Sequence, residues 1–221
     1  MSETHTVVQG EHLSGIADQY GFSNYLTIWN HPQNAALKSL RKNPNILFPG
    51  DQVFIPDREV KKESRPTDKS HKFKLPAGPL TLRIVLVRIY DKPYANTQCV
   101  LRMGATLANL VSDGTGKVEQ VIDKSLVNAS LLVKDQIVLK TTTVPVEREI
   151  QLRVGFLDPV EEKTGQRARL ANLGYYRAAI EPGDDDEFLS AVEEFQCENG
   201  LGVDGICGPL TQAKLIAVHG C

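Results

Sequence analysis

"HTVVQGEHLSGIADQYG", residues 5–21, and "NPNILFPGDQVFIP", residues 43–56, decide how the first quarter of this chain folds. "HTVV" reads as a short strand and Gly10 as the turn after it. Leu13, Ile16, Ala17 and Tyr20 then keep the i, i+3, i+4, i+7 spacing of an amphipathic helix, which Gly21 closes. A second helix is expected over "QNAALKSLRK", with Pro32 just before it, where a missing N–H costs little. "QVFIP" closes the unit as a strand, with Val53 and Ile55 on one face and Pro56 at its end. Two Pro/Gly-containing turns therefore face each other. Either they only reverse the chain, or they are the two walls of a groove.

Outward from this unit the composition changes. "DREVKKESRPTDKSHK", residues 57–72, holds ten charged side chains around one isolated Val60, too little apolar surface to offset the entropy of ordering, and reads as a linker. From Phe73 to about Phe156 the period becomes two: "LTLRIVLVRIY" sets Leu82, Ile84 and Leu86 opposite Arg83. "NTQCVLRM", "KVEQVID", "ASLLV", "QIVLKTT" and "EIQLRVGF" follow as further short strands, with turns at "DKPYAN" and "SDGTG". Short strands punctuated by turns predict an antiparallel sandwich.

The last segment is helical. "RARLANLGYY" is a helix closed by Gly174, and "DEFLSAVEEFQCENG" places Phe188, Ala191, Val192 and Phe195 on one stripe. "GPLTQAKLIAVHG" starts at Pro209 and is expected to pack Leu215 and Val218. The fold class is therefore multi-domain α+β: residues 1–57 a βααβ unit, 58–72 the linker, 73–157 the sandwich and 158–221 a three-helix domain.

Bulk properties exclude some functions. The 221-residue chain has a formal net charge of −2, without the clustered Lys and Arg that nucleic acid demands. No apolar run approaches the ~20 residues of a membrane span. "MSETHTVVQGEH" has neither the basic start nor the apolar core of a secretory signal. Synthesis in the cytoplasm is expected, with delivery to the periplasm by a secretion machine as the route to a wall. The four cysteines show no CxxC spacing; Cys197 and Cys207 flank one turn and could pair in an oxidising compartment.

Catalytic and metal signatures are absent. His5, His12, His31 and His71 lack i+4 partners for zinc, and no cofactor or metal is expected. "DDDE" at 184–187 lacks the ligand spacing of a calcium loop and suits the start of the helix after it. Trp29 reads as core.

"TVVQGEHLSGIADQYG", "IWN" and "NPNILFPGDQVFIP" resemble the LysM domain, found in many proteins that bind N-acetylglucosamine polymers. "RLANLGYY" with "AVEEFQCENGLGVDGICGPLTQAKL" resembles the three-helix peptidoglycan-binding domain of bacterial wall hydrolases. "DKPYANTQCVLRM" with "SDGTGKVEQVI" is similar to transthyretin-like or carboxypeptidase-regulatory sandwiches. "TIWNHPQNAALKSLRKNPNILFPGDQVFIPD" and "LDPVEEKTGQRARLANLGYY" resemble proteins encoded beside type VI secretion spike components. The terminal "HGC" resembles the nucleophile motif of L,D-transpeptidases, yet a thiolate needs a base or positive field that this context does not promise.

The first resemblance implies a glycan groove between Gly10, Glu11, His12, Leu13 and Ser14 on one side and Asn45, Ile46, Leu47, Phe48, Pro49 and Gly50 on the other. Glycines let backbone amides approach an acetamide, and Leu47 or Phe48 would take its methyl or the sugar face. Glu11 and His12 stand where Asp and Thr are usual, and neither caps a helix as well. "NHPQNAALK" expands the region between the helices. The second resemblance implies a cleft near Tyr175, Tyr176, Asp204, Gly205, Gly208 and Thr211; alternatively "DG" and "GP" there only turn the chain. The expected function is non-enzymatic binding of peptidoglycan through two modules joined by a flexible linker. The alternative is an adaptor or cargo of a contractile injection machine, docking on spike proteins.

Overall fold

A computed structural model describes residues 2–58, 64–72, 80–88, 92–139, 142–177 and 185–221. Residues 59–63 of the charged stretch, the approach to the sandwich at 73–79, the end of "LTLRIVLVRIY", Asp91 of the "DKPYAN" turn and Asp184 of the acidic run lie outside the described residues.

The N-terminal unit is built on two antiparallel strands, β1 (Glu3–Thr6) and β2 (Gln52–Ile55), with Glu3 opposite Ile55 and Thr6 opposite Gln52. Over them lie α1 (Leu13–Gln19), a single turn α2 (Leu26–Trp29), a 3-10 turn (Pro32–Asn34) and α3 (Ala35–Arg41). Leu13, Ile16, Ile28, Trp29, Val53 and Ile55 form the core, so Trp29 packs inward. The inserted "NHPQN" docks on β2, not in the groove. The Asn34 amide donates to Ile28 O and Phe54 O and accepts from Phe54 N–H, each at 2.8 Å, and His31 stacks on Phe54.

The middle region holds two antiparallel sheets. β3 (Leu80–Val85) pairs with β6 (Lys117–Ile122). β4 (Gln98–Met103), β5 (Thr106–Val111), β7 (Asn128–Leu139) and β8 (Thr142–Arg153) form a second sheet in the order β5-β4-β7-β8. Leu82, Ile84 and Val118 of the first meet Leu101, Leu131 and Val133 of the second in one core. Two details differ from expectation. "ASLLV" and the "QIVL" of "QIVLKTT" are not separate strands but one run, β7, with Lys140 and Thr141 outside the described residues, while "EIQLR" of "EIQLRVGF" is the end of a longer β8; "TLANLV" forms β5, which the alternation had not marked.

The C-terminal helices are α4 (Lys163–Leu173), α5 (Asp185–Glu198) and α6 (Pro209–His219), packed through Leu170, Phe188, Val192, Phe195 and Leu215. Val218 is exposed, contrary to its expected packing: it continues the stripe of Thr211 and Leu215 but lies in the last turn of α6, one residue before the helix ends.

These regions meet at residues 154–160. Val154 N–H donates to Val127 O, completing the β7–β8 hairpin. A β-carbon on Gly155 would collide with the carbonyl oxygen of Gly10, and the Phe156 ring lies against Gly10 itself. The Asp158 carboxylate accepts from Gln9 at 3.3 Å and from Thr164 at 2.6 Å, while its carbonyl accepts from buried Arg169 at 2.8 Å. Lys124, after β6, adds a carbonyl contact to His12 and an ion pair to Asp18 at 3.1 Å. The N-terminal unit thus rests directly on the middle strands.

Candidate functional site

The two facing turns touch each other. Leu13 N–H donates to Pro44 O at 3.1 Å, and Ser14 Oγ to Asn45 Oδ1 at 3.4 Å. Much of their backbone is satisfied internally: Glu11 N–H on Val8 O, Asn45 N–H on the Asn43 side chain, Ile46 N–H on Asn43 O, Phe48 N–H on Asp51 Oδ2 and Gly50 N–H on Val7 O. Among the described hydrogen bonds, the N–H groups of Gly10, His12, Ser14 and Leu47 have no protein acceptor. These four sit on both turns.

The side chains divide differently. Leu13, Ile46 and Leu47 are buried, as are His12 and Ser14, so Leu47 does not present the apolar face expected of it. Glu11 turns inward, accepting from Val8 N–H at 2.9 Å and lying 2.8 Å from His5 Nε2. Phe48 and Pro49 are half-buried, Asn45 and Gly50 exposed. The Arg41 guanidinium lies 5.5 Å from the Phe48 ring centre and clamps Asp51 through Nε at 2.8 Å and Nη2 at 2.9 Å. Asp51 thereby fixes the second turn.

His12 does cap α1, against the expectation from side-chain type. Its Nδ1 accepts from Gly15 N–H at 3.2 Å, because an imidazole lone pair can replace the usual oxygen. That fixes the proton on Nε2, which donates to Lys124 O at 3.2 Å. Burial lowers the His12 pKa; the bond to Lys124 O opposes this, and the Lys124 charge adds to it.

At the C-terminal candidate, Gln196 organises what the sequence only hinted at. This buried residue of α5 donates to Asp204 Oδ1 at 2.7 Å, Thr211 Oγ1 at 3.0 Å and Ile206 O at 3.1 Å, and accepts from Asp204 N–H and Gly205 N–H. The Ile206 N–H, then the Gln196 amide, lower the Asp204 pKa. Asp204, Gly205, Gly208 and Thr211 are therefore brought together, with Gly208 before the uncapped start of α6. Val203, Ile206 and Leu210 are exposed beside them, Leu210 at 81%. Tyr175 donates to Glu198 at 2.7 Å and meets Phe195 edge to face, while Tyr176 is buried against Phe188 and belongs to the core. A surface hollow of about 240 Å³ lies at neither place but on the middle sheet, between Gln98, Val100, Asn109, Val111 and Lys134.

All four cysteines are free thiols, including Cys197 and Cys207. Cys221 Sγ lies 3.2 Å from His219 Nδ1, whose Nε2 lies 3.0 Å from Asn172 Nδ2. Sequence reading had not placed a base there. Burial nonetheless pushes the Cys221 thiol up and the His219 ring down, which keeps both neutral and is the reverse of an activated nucleophile.

The sequence model of the LysM domain family matches residues 5–39, and that of the peptidoglycan binding domain family matches residues 166–215. The first match covers the turn at Gly10–Ser14 and stops before Asn45–Gly50; the second covers Gln196 and the Asp204–Thr211 loop. Neither reaches the strands of the middle region. No curated protein matches, and no solved structure matches.

Proposed function

We propose that this chain, which carries a LysM domain at its N-terminal end and a peptidoglycan-binding domain at its C-terminal end, is a non-catalytic binder of peptidoglycan that engages N-acetylglucosamine-containing glycan. The observation that carries the reading is the set of unused N–H groups at Gly10, His12, Ser14 and Leu47, placed on both facing turns. An N-acetyl group presents a carbonyl acceptor, which such amides suit. Each contact is weak, since a hydrogen bond to a soluble sugar replaces one to water. Two modules on one body raise the effective concentration of the second, and avidity of this kind reaches about 10²–10⁴ over one site when geometry permits both to engage. In this reading the two middle sheets are a sandwich that sets the spacing between modules, and residues 57–72 only connect.

Purified sacculi should pull the full chain down, and soluble N-acetylglucosamine oligomers should release it. In ¹⁵N-labelled protein those oligomers should shift the amide signals of Gly10, His12, Ser14 and Leu47. No retention on sacculi would overturn the proposal.

The packing of Phe156 and Lys124 against the first turn favours a second reading, in which the LysM surface docks on protein. There the chain would be an adaptor or cargo of a type VI-like injection machine. Capture by spike proteins with none by sacculi would select it.

A further inference from the structure

The free edge of the middle sheet carries an interaction surface of its own. β8 pairs with β7 in one unbroken register from Asn128↔Arg153 to Leu139↔Thr142. The bond from Val154 N–H to Val127 O fixes its phase: Leu152, Ile150 and Arg148 turn their backbone groups toward β7, and Arg153, Gln151, Glu149 and Glu147 turn theirs outward. Pro145 falls on an outward position, where its missing N–H breaks no ladder bond. β8 ends the sheet order, and all its residues except Val146 and Leu152 are exposed. Ile150 is 40% exposed although it points to the same face as the core residue Leu152.

The geometry points to this edge pairing with a second copy of itself, antiparallel and two-fold symmetric about Ile150. Outward groups must meet outward groups, so registers can change only in steps of two residues, and charge chooses among them. With Ile150 opposite Ile150 of the second copy, Glu147 faces Arg153, Arg153 faces Glu147, Glu149 faces Gln151 and Arg148 lies beside Leu152. Centring the pairing on Glu149 sets two carboxylates opposite each other, and centring it on Arg148 sets two guanidinium groups opposite. Centring it on Gln151 also sets Glu149 opposite Arg153, but it moves Glu147 past the strand, opposite Gly155, and leaves each Ile150 opposite Leu152 instead of the other Ile150. Edge strands are often blunted by charge; this one carries both signs and is self-complementary about Ile150 and about Gln151, and only the first of these registers keeps Glu147 within the strand pairing and sets the exposed Ile150 side chains together. The result is a closed interface, an eight-stranded sheet across the dyad, with the two exposed Ile150 side chains covering each other.

Sedimentation velocity of the full chain over a wide concentration range tests this. A monomer–dimer equilibrium is expected. Glu147→Arg and Arg153→Glu should each weaken it at least about tenfold, since each disturbs two symmetry-related pairs. The double variant reverses both charges and should restore it, which separates lost complementarity from lost folding. Gln151→Pro, which removes an outward N–H and spares the ladder to β7, should abolish the dimer. A chain that stays monomeric at several hundred micromolar, or a dimer indifferent to all four variants, would overturn the inference.

Discussion

Gly155 lies so close to Gly10 that any side chain at 155 would strike the Gly10 carbonyl oxygen. Both glycines hold positive φ, +92° at Gly10 and +83° at Gly155, where other residues are strained. This contact is how the LysM domain seats itself on the middle strands.

Gly155→Ala should therefore unseat it. Strain and collision together should cost about 1–3 kcal/mol. The LysM core should persist, while thermal unfolding loses cooperativity and limited proteolysis after Asp57 accelerates. Unchanged melting and unchanged proteolysis would mean the contact contributes nothing.

His12 makes the same junction sensitive to pH. Its folded pKa lies below the ordinary 6.5, so between the two values the unfolded chain binds more protons than the folded one. Stability is full above about pH 6.5 and declines as pH falls below it, levelling off only below the folded value. Protonation also removes the lone pair that accepts Gly15 N–H. Urea midpoints should drop between pH 7.5 and 5, and His12→Asn, which retains a capping oxygen, should flatten that His-dependent part of the slope.

Asp51→Ala should open the second turn. It leaves the buried Arg41 guanidinium without its bidentate partner and frees Phe48 N–H, at a cost of about 3–5 kcal/mol. The amide signals of residues 45–50 should broaden or shift well before the domain unfolds. A rigid turn in the variant would show that Arg41 and Asp51 are incidental to it.

Gln196→Ala should collapse the Asp204–Gly208 loop, because three acceptors and two donors lose one shared partner. A loss of about 2–4 kcal/mol is expected. Gln196→Glu should be equally damaging, since a second carboxylate would then face Asp204. Melting temperatures of the two variants check both statements.

How much of this was legible in the sequence depends on where the decisive partner lies. Leu13, Ile16 and Ala17 declare α1 by spacing alone, and all three are buried. β7 was cut in two because Lys134 and Asp135 interrupt the apolar run, yet Asp135 keeps the inward phase as a buried group paired with Arg88 at 2.5 Å. β5 escaped notice because Leu107 and Val111 sit on the exposed face, so its apolar residues do not alternate. The turn residues of both candidate sites were visible as Gly, Pro and Asp. The docking of Phe156 on Gly10 was not, since nothing local marks two distant segments as neighbours. Gln196, in the last turn of α5, looks like any surface amide until the loop folds over it.

The seating of the first domain on residues 154–160 also sets how the molecule would carry tension. If a glycan strand held one end and a second strand the other, the pull would pass from Gln9 and Gly10 into Gly155 and Asp158, and through Arg169 into the final helix. The two glycines would then be the catch that releases first.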